Sequence, residues 1–186
     1  MPEIRSGTVS YYDQSAYRVR VEWGAAGVEV FAPISDTIVI VDVVVSHRVA
    51  ALPYGWKTEQ AETFAKRHNA ILVGRRGQAE LCLSPPSLSA LESCARVVLP
   101  SPNGSTLTLL AAGHTRTLAG LLRNRTAVAD YLNDVDGTVT VTICGERWPE
   151  NNLRPAIEDQ LGAGAIVQAL TASNSPEAQA AEAVFS

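Results

Sequence analysis

Asn103-Gly104-Ser105-Thr106 joins a strand-like run to a helix-like one, and its residue types point directly to anion chemistry. Free backbone N–H groups and the positive end of a helix dipole favour an anion at such a junction. Gly104 lets the backbone approach closely, and the Ser105 and Thr106 hydroxyls can donate. The same residues also make an ordinary Asx turn and N-cap, which needs no ligand. Gly74-Arg75-Arg76-Gly77 follows another strand-like run. A guanidinium such as that of Arg76 grips phosphate or sulfonate oxygens in bidentate fashion, or simply lies in a solvated turn.

The carboxylates come next. Asp42 stands in the most apolar run of the chain, Thr37–Val45. A lone buried carboxylate is costly without a partner. Asp42 is therefore a candidate metal ligand or organiser of a site, the alternative being a strand-end residue that caps a neighbouring loop. Glu146 precedes a helix that Glu158 and Asp159 open, where the helix dipole alone favours acids. Gathered together, Asp42, Glu146, Glu158 and Asp159 could hold Mg²⁺, which takes oxygen ligands and keeps waters. His47 is the histidine best placed for proton transfer. Cys144 follows a strand and is a candidate nucleophile. Arg147, however, comes too soon after it for a phosphate cradle, and a packed thiol is the stronger alternative. Gly162-Ala163-Gly164 lies inside a helix and fails the context of a dinucleotide fingerprint.

The elements that must position these residues alternate along the chain. Strands are expected at Tyr17–Trp23 (exposed or at an edge), Thr37–Val45 (buried on both faces), Ala70–Val73, Arg96–Leu99, Thr115–Ala119 and Thr138–Ile143. Helices are expected after Thr58, at Leu88–Cys94, Ser105–Ala112 and Arg125–Leu132, from Pro155 to about Leu170, and at Pro176–Phe185. Alternation of this kind predicts an α/β fold, a mostly parallel or mixed sheet built from βαβ units with helices on both faces. Ligands then bind beyond the carboxyl ends of the strands. The loops there, including Gly120–Asn124 and Cys144–Arg147, should converge on one rim.

The chain has 186 residues, of which 46% are hydrophobic and 18% charged, which suits one domain with a sizeable core. A formal net charge of −4 without a basic run argues against a nucleic-acid surface. No segment has the length of a membrane span, and Met1–Arg5 lacks the apolar stretch of a signal peptide. Cys82, Cys94 and Cys144 match no zinc or redox spacing and are expected as reduced thiols in a cytoplasmic protein.

Taken together, these segments resemble the 2-phosphosulfolactate phosphatase family, over most of the chain from about Tyr17. The resemblance is carried by YRVRVEWGAAG at Tyr17–Gly27, the Asp-Val strand with Asp42, and the loop with Arg76. It continues in SPNGST at Ser101–Thr106, GLLRNRTAVADYL at Gly120–Leu132, and CGERWPENNLRPAIEDQLGAGA at Cys144–Ala165. It implies Mg²⁺-dependent hydrolysis of 2-phospho-3-sulfolactate to 3-sulfolactate and phosphate, a step of coenzyme M biosynthesis. The residues implicated as substrate ligands are Arg76, Asn103, Gly104, Ser105, Thr106 and Asn124. The chain departs from the family pattern at Val45, Arg75 and Leu83, where the family has Arg, Glu and Asn. It also ends at Ser186, where members continue with another strand and helix; an open sheet edge would favour pairing, as in a homo-oligomer. The departures leave a second possibility, a catalytically silent relative that binds a small anion.

Overall fold

The computed structural model describes residues 12–42, 50–55, 60–74, 81–82, 87, 91–92 and 95–186. Its centre is a four-stranded parallel sheet of β1 (Val19–Trp23), β2 (Thr37–Val41), β6 (Arg116–Gly120) and β7 (Val139–Ile143), in the order β1-β7-β2-β6. β2 and β7 are buried along their whole length. Their β-branched residues suit a pleated surface covered on both sides. One face, including Val39, Val41, Val139, Val141 and Ile143, packs on α4 (Arg125–Asp134), α5 (Ile157–Gln168) and α6 (Pro176–Phe185). The other, with Ile38 and Ile40, packs on α1 (Gly24–Phe31) and α3 (Gly104–Ala111). The expected α/β fold, mostly parallel with helices on both faces, is thus the fold observed.

A second parallel sheet, of order β3-β5-β4, joins β3 (Ala50–Pro53), β4 (Ile71–Leu72) and β5 (Arg96–Leu99). It carries α2 (Ala61–Arg67) and a small core of Val73, Val97 and Leu99. The chain enters this sheet after β2 and returns through α3, which touches both β2 and β3. Beyond β7 lies a two-stranded antiparallel hairpin, β8 (Glu146–Arg147) and β9 (Leu153–Arg154), turned at Asn151 with φ +68°.

Several boundaries differ from the sequence reading for identifiable reasons. The Thr37–Val45 strand closes at Val41, because its partners end there too: Val41 pairs with Gly120 and Ile143. Asp42 therefore stands at the carboxyl end of the strand rather than within it. Pro155 does not open α5, since Leu153–Arg154 is held in the hairpin; Ala156 is the N-cap. β1 is an edge strand but not an exposed one. The Gln14 side-chain amide bonds both N–H and C=O of Val21, and Val19 exchanges bonds with Ser173 and Ser175. Thr58 and most of Leu88–Cys94 lie outside the described residues. No helix among the described residues is long and apolar enough to cross a membrane.

α5 and α6 pack closely through Gly164, where an added Cβ would lie 2.1 Å from the carbonyl oxygen of Ala181. Gly164→Ala is expected to lower stability by about 1–3 kcal/mol, read from the urea midpoint, despite the better helix propensity of alanine. An unchanged midpoint would contradict this packing.

Candidate active site

The carboxyl ends of the central strands bring Gly24, Asp42, Leu121 and Cys144 onto one rim, as the register Trp23–Ile143–Val41–Gly120 requires. Asp42 is half-buried there, and its Oδ2 accepts from the hydroxyl of Ser101 at 3.0 Å and from the N–H of Gly104 at 3.0 Å. Ser101 lies just beyond β5 and Gly104 opens α3. One carboxylate thus ties the rim of the first sheet to the rim of the second. A carboxylate at a helix N-terminus is favoured by the dipole and satisfies a free amide. Gly104 has to be glycine, since a Cβ would sit 2.4 Å from Asp42 Oδ2 and 2.9 Å from its Cβ.

Asn103 holds the N-cap position of α3 but makes no side-chain cap bond. Its amide instead donates to Glu146 Oε2 at 3.0 Å, reaching across to the hairpin. The Ser105 hydroxyl is turned inward and donates to the carbonyl of Leu99 at 2.5 Å. Ser105 and Thr106 therefore offer a ligand first-turn amides, and only Thr106 a hydroxyl. Asp159 is buried, at 5% exposure, in the first turn of α5, and accepts from the N–H of Gly145 at 3.0 Å. Gly145 has φ +64°, the left-handed conformation that glycine tolerates best, and this turn sends the chain into the hairpin. Glu158, next to Asp159, is exposed.

Cys144 lies buried at the centre of this arrangement. Burial first, then the charges of Asp42, Asp159 and Glu146, push its thiol well above the usual range. A thiol so placed stays protonated at neutral pH, which makes it a packing group rather than a nucleophile. Asn124 is likewise occupied: Leu121 N–H donates to its Oδ1 at 2.7 Å and its Nδ2 donates to the carbonyl of Ala119 at 2.9 Å. It ties the end of β6 to the start of α4 instead of facing a ligand. His47 and Arg76 lie outside the described residues.

Two clefts open beside Asn103. One, of about 270 Å³, runs between the two sheets and is lined by Asp42, Ser101, Gly104 and Thr108 with residues of β3 and β6. The other, of about 260 Å³, lies under the hairpin and is lined by Asn103, Cys144, Glu146 and Arg147 with the first turn of α1. Among the described residues no three His, Cys, Asp or Glu side chains form a metal-binding group by themselves. One oxygen of Asp42 and one of Glu146 remain without hydrogen-bond partners among these residues. Each is the kind of oxygen donor that Mg²⁺ takes, commonly one or two carboxylates together with phosphate oxygens and waters.

The family model for 2-phosphosulpholactate phosphatase matches residues 32–186. The chain belongs to that family. It is a phosphatase family, named for a small phosphate ester, and the matched stretch contains Asp42, Asn103, Gly104, Glu146 and Asp159. β1 precedes that stretch yet completes the central sheet. No curated protein matches the chain. Sequence reasoning singled out these acids but not Ser101 as the partner of Asp42. The segment SPNGST contained it, without a local signal that its hydroxyl turns to Asp42.

Cys144 should resist iodoacetamide at pH 8 in the native protein and react once the chain is unfolded, as followed by mass spectrometry. The raised pKa is a property of the folded state, so the thiolate fraction appears on unfolding. Rapid native alkylation of Cys144 would contradict its placement.

Proposed function

We propose that the chain is a Mg²⁺-dependent phosphatase that hydrolyses the phosphate ester of a small acid, as in the conversion of 2-phospho-3-sulfolactate to 3-sulfolactate and phosphate. The observation that carries this is the pair of contacts at the N-terminus of α3, where Asp42 accepts from the N–H of Gly104 and the neighbouring Asn103 amide donates to Glu146. A helix end alone would attract phosphate, but the carboxylates of Asp42 and Glu146 beside it would repel it. The two are compatible when a divalent cation lies between them.

Asp42 and Glu146 would hold that cation through the oxygens they leave free. Bound there, Mg²⁺ would neutralise phosphoryl oxygens and make a water more acidic. The chain's own contribution is orientation. Ser101 and Gly104 fix the Asp42 carboxylate, and Asn103 fixes that of Glu146. The first-turn amides of Ser105 and Thr106 would bind phosphoryl oxygens at the helix end. Arg76 as a further phosphate ligand, and His47 as a proton-transfer group, complete the proposal on sequence grounds. The family resemblance supports a place in coenzyme M biosynthesis, and the cysteine spacing supports a cytoplasmic protein.

One observation favours the second possibility, a silent relative that binds a small anion: the described residues offer two free carboxylate oxygens and no larger metal-binding group. Phosphate release from 2-phospho-3-sulfolactate and a panel of small phosphate esters separates the two. Turnover is expected with Mg²⁺, abolished by excess chelator, and lost in Asp42→Asn and Glu146→Gln while both variants remain folded by circular dichroism. Full activity in both variants would remove these residues from the metal site. A folded wild type that binds phosphate but turns over no ester would support the silent relative.

A further inference from the structure

Asp159 stands apart from the other acids of the rim. It is 5% exposed and lines neither of the two clefts, whereas Asp42 lines one and Glu146 the other. It lies in the first turn of α5, where the N-cap residue, Ala156, makes no side-chain cap bond and the helix dipole favours a carboxylate. Its Oδ2 accepts from the N–H of Gly145 at 3.0 Å. Gly145 is itself buried, with φ +64°, and an added Cβ would lie 2.8 Å from Leu153 Cδ1 and 3.0 Å from the carbonyl oxygen of Arg154. The next residue is Glu146, half-buried, paired in the hairpin with Arg154 and bonded at Oε2 by the Asn103 amide at 3.0 Å. A single glycine therefore connects a buried carboxylate to an acid that faces a cleft. The chain passes here from a buried strand, β7, to a hairpin of two-residue strands, so the direction of Glu146 depends on how the Gly145 turn is held.

We propose that Asp159 is a positioning residue for the cation site and not one of its ligands: through the Gly145 N–H it fixes the turn that aims the Glu146 carboxylate. The inference rests on the phosphatase reading for Glu146 as a cation ligand. A group that orients a metal-binding side chain is worth about 10–100-fold in metal affinity. What Asp159 supplies in this role is a hydrogen-bond acceptor, which the oxygen of an asparagine amide supplies as well. A direct ligand to Mg²⁺ depends instead on the carboxylate charge. Asp159→Asn and Asp159→Ala therefore separate the two roles.

The test is Mn²⁺ binding to the full chain, followed by electron paramagnetic resonance, with circular dichroism as the check on folding and release of phosphate from 2-phospho-3-sulfolactate measured in parallel. Asp159→Asn is expected to keep most of the wild-type affinity, and Asp159→Ala to lose roughly tenfold or more. Asp159→Ala should add no further loss in a Glu146→Gln background, because both changes act through one carboxylate. Gly145→Ala leaves every carboxylate in place and should weaken Mn²⁺ binding too; it carries the test if the Asp159 variants do not fold. Equal loss in folded Asp159→Asn and Asp159→Ala overturns the proposal, since the charge and not the hydrogen bond is then what counts. Wild-type affinity in Asp159→Ala or in Gly145→Ala overturns it as well, as does a loss in Asp159→Ala that adds in full to that of Glu146→Gln. In each of these cases metal-dependent ester turnover by the wild type leaves the phosphatase reading standing. Mn²⁺ binding that follows the expected pattern in a protein that releases no phosphate keeps the positioning role and removes the phosphatase reading. A wild type that binds no Mn²⁺ overturns both.

Discussion

One carboxylate holds the site together. Asp42 leaves the end of the most buried strand and accepts hydrogen bonds from Ser101, beyond the second sheet, and from Gly104, at the start of α3. The two sheets otherwise have separate hydrogen-bond ladders. Charge-assisted bonds of this kind contribute about 1.5–3 kcal/mol each, and a half-buried carboxylate stripped of them is costly. The requirement runs in both directions: Asp42 needs the amide of Gly104, and that amide is reachable only because position 104 has no side chain.

From that contact the rest of the rim follows. Asp42 serves the first amide of α3, and Asn103, which makes no side-chain cap bond, reaches Glu146. Glu146 is presented by a short hairpin whose entry is set by the left-handed turn at Gly145 and the bond from its N–H to buried Asp159. The acids arrive from three separate parts of the chain, and burial first, then their charges, raises the pKa of the Cys144 thiol.

The sequence made the regular elements legible where local chemistry and packing agree. Arg96–Leu99 and Pro176–Phe185 form the elements their residues predict, the latter with Ser175 accepting from Ala178 N–H as a cap. α1 escaped notice because Gly24 and Gly27 read as a turn; burial of Val28 and Phe31 on the sheet outweighs their poor helix propensity. The division into two sheets was not legible, since strand partners are chosen by tertiary packing. The two-residue strands of the hairpin are too short to carry a period. At the site, the rule that ligands gather beyond strand ends pointed to the loops that carry Asn103 and Glu146, whereas Asp42 was read inside its strand and Asp159 in the first turn of a helix. It could not say which group bonds to which. Asn103 serves Glu146, Asn124 serves its own turn, and the Ser105 hydroxyl serves Leu99.

Asp42 is proposed to organise a cation site at the head of α3. Mn²⁺, which shares the preference of Mg²⁺ for oxygen ligands, reports on this directly through electron paramagnetic resonance. Titration of the wild type and Asp42→Asn, with and without inorganic phosphate, is the most direct measurement. The account predicts saturable Mn²⁺ binding to the wild type that phosphate strengthens, and loss of both effects in Asp42→Asn. Equal Mn²⁺ affinity in the two proteins, or binding that phosphate weakens, would contradict it.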